Sequence, residues 1–305
     1  MNDTSILVLG AGELGMAVLR NLAKKVASFP GATLTVLQRP STITSHTTEK
    51  QRDLETLRSL GIKFLPGDLV SASEAELSAL FSNFDSVVGC TGFVAGRSIQ
   101  LKLARSVLDA GVKRYIPWQF GVDYDVIGRG SSQDLFDEQL DVRDLLRSQN
   151  RTEWIIVSTG MFTSFLFEPS FGVVDLSENI VRCLGSWETA VTVTTPEDIG
   201  ALTAEILFAE PRIADQVVYT AGDTVSYARL ADIVDSVLGR KMRRADWSLP
   251  TLKGELAADP ANPLKKYRVV FGEGRGVSWG LDRTFNGQRG IEVMDVEQWA
   301  RANLR

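Results

Sequence analysis

The chain has 305 residues, 44% of them apolar and 23% charged, and 33 Lys and Arg against 38 Asp and Glu leave a net charge of −5. That length gives a prior of one or two domains with room for a large core, and the mild acidity argues against an electrostatic binder of duplex DNA. Two cysteines, Cys90 and Cys183, make neither a disulfide framework nor a cysteine zinc site. The single histidine, His46, excludes a two-histidine metal motif and leaves a Ser-His-Asp hydrolase resting on one residue.

The first half alternates short β-rich runs with longer helical segments. Residues 5–9 (SILVL) read as a buried strand. A helix follows over 13–28, with Leu14, Val18, Leu22 and Val26 at four-residue spacing on one face, and Pro30-Gly31 breaks it. Next come a strand over 33–37, a helix over 48–60 closed by Gly61, and a strand over 62–65 ending at Pro66-Gly67-Asp68. Ser73 and Glu76 have capping-box spacing at the start of a helix over 73–81. A strand over 86–88, a helix over 98–110, a strand around Tyr115-Ile116, a helix over about 132–149 and a strand over 154–157 complete the series.

The second half is less regular. Residues 161–172 are rich in aromatics. A helix is expected over 196–209 with Thr195 as N-cap and Pro196 in its first turn, then a strand over 217–220, a helix over 226–238 closed by Gly239, and a terminal helix over 295–304. Residues 246–289 mix Gly, Pro, Lys and Arg without a readable period.

Strands alternating with helices predict an α/β fold, a doubly wound parallel sheet with helices on both faces and ligands at the carboxyl ends of the strands. The expected division is a dinucleotide-binding domain over 1–160 and a smaller substrate-binding region over 161–305, parts of which return to the sheet.

Gly10-Ala11-Gly12-Glu13-Leu14-Gly15 is a G-x-G-x-x-G turn that follows the first strand and opens a helix. Gly10 permits the tight turn, Gly12 lets a diphosphate approach, and Gly15 lets helix and strand pack closely. Glu13 and Leu14 begin the helix whose N-terminus meets the phosphates. After the second strand an NAD binder places an acid. Here Arg39 stands in that region, suited to a 2′-phosphate, with Ser41 or Thr42 as hydrogen-bond donors, so the cofactor reads as NADP(H). Asp68-Leu69 lies where an adenine edge would fall, though Asp68 reads equally as a turn or cap residue. Thr91 and Gly92 end the fourth strand, Phe120 lies just beyond the fifth, and all three are placed beside the cofactor. Cys90 reads as a small packing residue. No tyrosine has a lysine four residues later, so the usual short-chain dehydrogenase pair is missing.

GAGELG at 10–15, GVKRYIPWQFGVD at 111–123 and FDEQLDVR at 136–143 resemble the isoflavone reductase and NmrA-like branch of the atypical short-chain dehydrogenases. TTPEDIG at 194–200 is similar to a helix start common in that group, and WQFGVDYD followed by GRGSSQDLFDEQ resembles a fungal subgroup. The resemblance implies an NADPH-binding Rossmann domain, a smaller C-terminal substrate domain and reduction of aromatic small molecules through the lysine of a Phe-x-x-Lys-x-x-x-Arg stretch. Phe136 and Arg143 match that stretch, but Gln139 occupies the lysine position. Glutamine exchanges hydrogen bonds and does not titrate, so the lysine mechanism does not carry over intact.

Three readings of that departure remain. Gln139 polarises a carbonyl with water as proton source; Tyr124, Asp123 or Asp137 supplies the acid; or no hydride moves. The leading expectation is an NADPH-dependent reductase of an aromatic or polyketide-like small molecule. Phe93, Trp118, Met161, Phe162 and Phe165 would line an apolar pocket over the nicotinamide, against the alternative that these rings are core. A non-catalytic NAD(P)-sensing regulator and a non-redox isomerase on the same fold are the competing functions. With no basic leader and no apolar run of about 18 residues, the expectation is a cytoplasmic monomer or homodimer. It would have no metal, no membrane span and no direct contact with nucleic acid.

Overall fold

The computed structural model describes residues 4–93 and 96–304. Its strands are β1 (Ser5–Leu9), β2 (Thr33–Gln38), β3 (Lys63–Pro66), β4 (Ser86–Gly89), β5 (Arg114–Ile116), β6 (Glu153–Ser158), β7 (Met161–Phe162), β8 (Val174–Asp175), β9 (Ile180–Gly185), β10 (Ala190–Thr194), β11 (Gln216–Tyr219), β12 (Asp223–Ser226) and β13 (Arg243–Ser248). The helices are α1 (Glu13–Val26), α2 (Pro40–Ile43), α3 (Thr48–Ser59), α4 (Glu74–Phe81), α5 (Ile99–Asp109), α6 (Tyr124–Ile127), α7 (Leu135–Arg147), α8 (Pro196–Leu207), α9 (Tyr227–Leu238), α10 (Leu249–Ala258), α11 (Pro263–Glu273), α12 (Phe285–Arg289) and α13 (Val296–Asn303). Among the described residues no helix is long and apolar enough to cross a membrane.

Seven strands form one sheet in the order β11-β6-β5-β4-β1-β2-β3. The β1–β2, β2–β3, β1–β4, β4–β5 and β5–β6 pairs are all parallel, with Leu7 opposite Thr35 on one side and Val87 on the other. The chain runs outward from β1 first to β2 and β3, then to β4 and β5. The crevice at the carboxyl ends of β1 and β4 is therefore the topological switch point. Burial on both faces explains the apolar run Ile6–Leu9 of β1. Leu7 and Leu9 join Val87, Tyr115, Trp154 and Ile156 in one core layer, covered by Leu77 and Phe81 of α4, Leu103 and Val107 of α5 and Val142 and Leu146 of α7. Ile6 and Val8 point the other way and are equally buried. Each such side chain contributes roughly 1.5–3 kcal/mol by leaving water.

Polar side chains tie down the opposite end of this sheet. The Ser5 N–H and hydroxyl donate to Asp85 Oδ2 at 3.0 and 2.9 Å, and Lys113 Nζ donates to Oδ1 at 2.6 Å. The Lys113 ammonium and the Ser5 N–H hold the Asp85 carboxyl below its ordinary range. Arg114 donates to the carbonyls of Leu207 and Ile213 at 2.5 and 2.7 Å, so its charge closes the carboxyl end of α8. Burial lowers its pKa to about 10, which leaves it cationic.

The chain forms two compact units. One holds the residues up to Gln119 together with Glu138–Val157 and Ile199–Val218; the other holds Phe120–Asp137, Ser158–Asp198 and the chain from Tyr219 onward. Where the sequence reading drew a boundary near 160, the chain passes between the units several times. Segment 199–218 of the second half belongs with the dinucleotide-type sheet.

The second unit contains two three-stranded sheets, β12-β10-β7 and β13-β9-β8. Fully buried Val191, Val193 and Val225 lie in the first, Val181 and Leu184 in the second. The unreadable stretch 246–289 contains α10, α11 and α12, and the first two are the longer. Those two each have a proline in the first turn and a polar cap: Ser248 Oγ accepts from the Thr251 N–H, and Asn262 Oδ1 accepts from the N–H groups of Leu264 and Lys265.

Candidate functional site

The first unit builds a groove that opens at a glycine turn. Gly10 turns with φ +96°, where a Cβ would also press on Thr91 Oγ1, and its N–H donates to Leu37 O at 3.2 Å. A Cβ on Gly15 would collide with the Gly10 carbonyl, so the α1 helix can leave β1 this closely only with glycine there. Gly12 differs. A Cβ on it would meet nothing within 4 Å, and it is the N-cap of α1 with no side chain closing the helix end. No packing demand accounts for this glycine; it keeps open the space in front of α1's first N–H groups, where the helix dipole is positive.

The groove that begins there has a volume of about 650 Å³. Gly10, Gly12, Arg39, Asp68, Leu69, Thr91 and Gly92, all placed at a cofactor by the sequence, line it together. Gln38, Thr42 and Lys50 line it too. Arg39 is the exposed N-cap of α2, and Lys50, in the first turn of α3, stands 3.7 Å from Asp53 in an exposed ion pair. Ser41 is exposed on α2 and is not part of the lining. Glu13, Leu14 and Gly15 form the first turn of α1 rather than the groove wall.

Asp68 Oδ1 accepts from the N–H groups of Val70 and Ser71 at 2.9 and 3.4 Å. Chiefly through the Val70 N–H, its carboxyl is held below the ordinary value, with the Arg39 charge adding in the same direction. Lys102 Nζ fixes the neighbouring wall from α5 by donating to the Leu69 and Val70 carbonyls at 3.1 and 3.0 Å. Thr91 Oγ1 donates to Leu9 O at 2.9 Å, and Gln100 Nε2 donates to Thr91 O at 2.7 Å. Cys90 is buried, and burial pushes its thiol pKa up, so it carries no thiolate nucleophile.

Helix α7 holds Gln139 in the same unit. Gln119 Nε2 donates to the Gln139 carbonyl at 2.8 Å while its Oε1 accepts from Arg143 Nε at 2.7 Å. Next to Gln139, the Glu138 carboxylate accepts from the Ser98 and Gln100 N–H groups at 2.8 and 2.9 Å and so caps α5. The Gln139 carboxamide itself is fully buried, with no hydrogen-bond partner for Nε2 or Oε1 among the described residues. Each such atom costs roughly 1–3 kcal/mol unless a ligand or water completes it. Phe93 and Trp118 meet edge to face, centroids 4.7 Å apart.

In the second unit Asp123 caps α6 by accepting from the Val126 N–H at 3.2 Å, and its other oxygen accepts from Tyr219 Oη at 2.6 Å. Asp137 Oδ1 accepts from the Gly130 N–H. Tyr124 is buried edge-on to Phe136, whose ring leads to Tyr267, Phe165 and Phe171 in one aromatic cluster. Burial in it pushes the Tyr267 pKa up to about 12, so its phenol is neutral. Met161 and Phe162 form β7 beside Val193 and Thr194, and Phe120 is buried.

Sequence reading had missed Lys50, Gln38 and the hydrogen bonds of Gln119 and Glu138. Only Lys50 carried a usable signal, a cation one short helix beyond Arg39.

A glycine turn at the switch point, an open helix N-terminus and a cationic rim define a doubly wound nucleotide-binding protein. The NmrA-like family model matches residues 2–299. An NmrA-like family domain-containing oxidoreductase of Gibberella moniliformis is 49% identical over 302 residues, covering 99% of this chain and 98% of the relative. Among solved structures, AtPrR2 with NADP+ and (+)pinoresinol superposes with a TM-score of 0.77 at 19% identity over 99% of both chains. The binary complex of leucoanthocyanidin reductase and NADPH from Vitis vinifera reaches 0.79 at 16% identity over 97% of both. The chain belongs to the NmrA-like family and is an oxidoreductase of the NmrA-like type.

Proposed function

We propose that the protein is an NADPH-dependent reductase of an aromatic or polyketide-like small molecule. The observation that carries this reading is the groove, in which Gly12 keeps a helix N-terminus open and Arg39 and Lys50 supply cations. The residues fit NADP(H): the Gly10–Gly15 turn for the diphosphate, Arg39, Thr42 and Lys50 for the 2′-phosphate, and Leu69 beside the adenine. When bound, the cofactor supplies hydride from its nicotinamide. Gln139 is assigned to orient an oxygen through its buried amide. An aromatic substrate is supported by the pinoresinol bound to one fold neighbour.

Titration calorimetry with NADPH and NADH, followed by NADPH oxidation in the presence of quinones, enones and aromatic carbonyls, tests this reading. Saturable NADPH uptake with turnover of one substrate class is expected, and protein that takes up neither nucleotide sinks the proposal. Arg39→Ala is expected to weaken NADPH about 10–30-fold, as loss of a charge-assisted contact does, and to leave NADH within about twofold.

One observation favours a second reading, cofactor sensing without turnover: position 139 carries an amide that cannot titrate. NADPH binding with no substrate turned over, together with a stable complex with a regulatory protein, would select it.

A further inference from the structure

Strand β13 ends its three-stranded sheet, with β9 on one side and no strand on the other among the described residues. The Arg243 N–H donates to Asn179 O at 2.9 Å, which sets the phase of the ladder. Alternate residues of a parallel pair bond the partner strand, so the main-chain groups of Arg243, Ala245 and Trp247 face β9 and those of Arg244 and Asp246 turn outward. Just before them the outward Met242 N–H is taken by Asp235 Oδ1 at 2.8 Å. The Arg244 and Asp246 N–H groups have no acceptor among the described residues. Arg243, Arg244 and Asp246 are all exposed, so this edge lies open.

An open edge is a template for another strand, and like charges along it deter pairing. Here the effect of the charges depends on register. A second copy running antiparallel about a two-fold axis needs that axis to pass through a residue, because an axis between residues sets outward groups against inward ones. An axis at Arg244 places two guanidinium groups together, and an axis at Asp246 places two carboxylates together. An axis at Ala245 sets Arg244 against the partner's Asp246 on both sides, with the small Ala245 side chain where the copies come closest. Both charged side chains are held ready within the chain. Arg244 Nη2 donates to Asp232 Oδ1 and Asp235 Oδ2 at 2.9 and 2.7 Å, and Asp246 Oδ1 accepts from Trp187 Nε1. Further guanidinium N–H groups and the second carboxylate oxygen are left to meet a partner.

We propose that the β13 edge is a self-association surface, on which two copies of this chain pair antiparallel about an axis through Ala245 and exchange main-chain hydrogen bonds and ion pairs between Arg244 and Asp246. The pairing is isologous and closes at a dimer. The contact is short and its ion pairs are exposed, so the dimer is reversible and weakens as salt rises.

Sedimentation equilibrium of the full chain over about 1–200 μM tests this, with far-UV circular dichroism reporting the fold of each variant. Wild type is expected to approach twice the chain mass at the upper end, at lower protein concentration in dilute salt than in concentrated salt. Arg244→Asp and Asp246→Arg each set like charges against each other, and each alone is expected to weaken association at least about tenfold. Mixed in equal amounts, one variant offers two acids to the two arginines of the other. The mixture is expected to associate within about threefold of wild type, a recovery that a damaged fold does not give. Ala245→Glu removes no side-chain hydrogen bond of the chain and brings two carboxylates together at the axis, so association is expected to fall about tenfold. Wild type that stays monomeric throughout overturns the proposal, as does a mixture of folded variants that fails to associate. An Ala245→Glu variant that associates like wild type also overturns it, and that variant alone decides if either charge reversal does not fold.

Discussion

The groove of the first unit and the aromatic cluster of the second are made in opposite ways. The groove depends on glycine backbone at its turn, with Gly10 and Gly15 allowing a close approach and Gly12 leaving a space empty. The cluster is made of side chains from four separate stretches, with Tyr124, Phe136, Phe165, Phe171 and Tyr267 meeting ring to ring. A backbone site is encoded by local spacing, whereas a side-chain cluster is encoded by which distant segments fold together. The first kind serves a ligand whose phosphates are invariant. The second kind serves packing, with Tyr124, Phe136 and Phe171 all buried.

Three substitutions probe that contrast, beginning with the largest effect. Phe171 is fully buried and stacked on Phe165 at 4.5 Å, so Phe171→Ala is expected to cost about 3–5 kcal/mol in denaturant unfolding. NADPH affinity should stay within about twofold, since neither Phe171 nor Phe165 lines the groove. A parallel loss of affinity would show that groove and cluster are one energetic unit and would break the comparison.

Gly12→Val reverses the pattern. Because a Cβ there meets no protein atom within 4 Å, stability should change by less than about 1 kcal/mol, the scale of a helix-cap substitution. NADPH affinity should fall about 100-fold or more, roughly 2.7 kcal/mol, as methyl groups enter the phosphate path. Unchanged affinity would remove the diphosphate from this turn.

The smallest effect concerns Asp68. Its folded pKa lies below the ordinary 3.8, chiefly because of the Val70 N–H, so it contributes stability above its unfolded value. That contribution is lost as pH falls through the folded value. Asp68→Asn should flatten the acid limb of the stability profile below about pH 4, by about one degree in melting temperature. An unaltered acid limb would show that the Val70 and Ser71 N–H groups are satisfied equally well by the neutral side chain.

The contrast also explains what the sequence disclosed. Strand–helix alternation, GAGELG and Arg39 are local signals, and each led to its place in the groove. Gln38 was passed over because a glutamine ending a strand looks like any surface amide until its oxygen is seen to be buried. Glu138 was read only as part of the FDEQLDVR motif, since nothing in the spacing shows that its carboxylate reaches Ser98 and Gln100. Strands β9 and β10 were missed because β8, β9 and β10 follow one another with no helix between them to mark where each begins. Helices α10 and α11 were missed for a different reason. Their cap-and-proline starts, Ser248 with Pro250 and Asn262 with Pro263, were present but lay in a stretch whose charge and glycine content obscured the period.

Lys102 has a consequence for kinetics. Its ammonium grips the Leu69 and Val70 carbonyls from outside the groove, so that rim is already set in the ligand-free protein. Docking then freezes little additional chain, encounters need no slow rearrangement, and the heat capacity change of association should report surface removed from water rather than a loop becoming ordered.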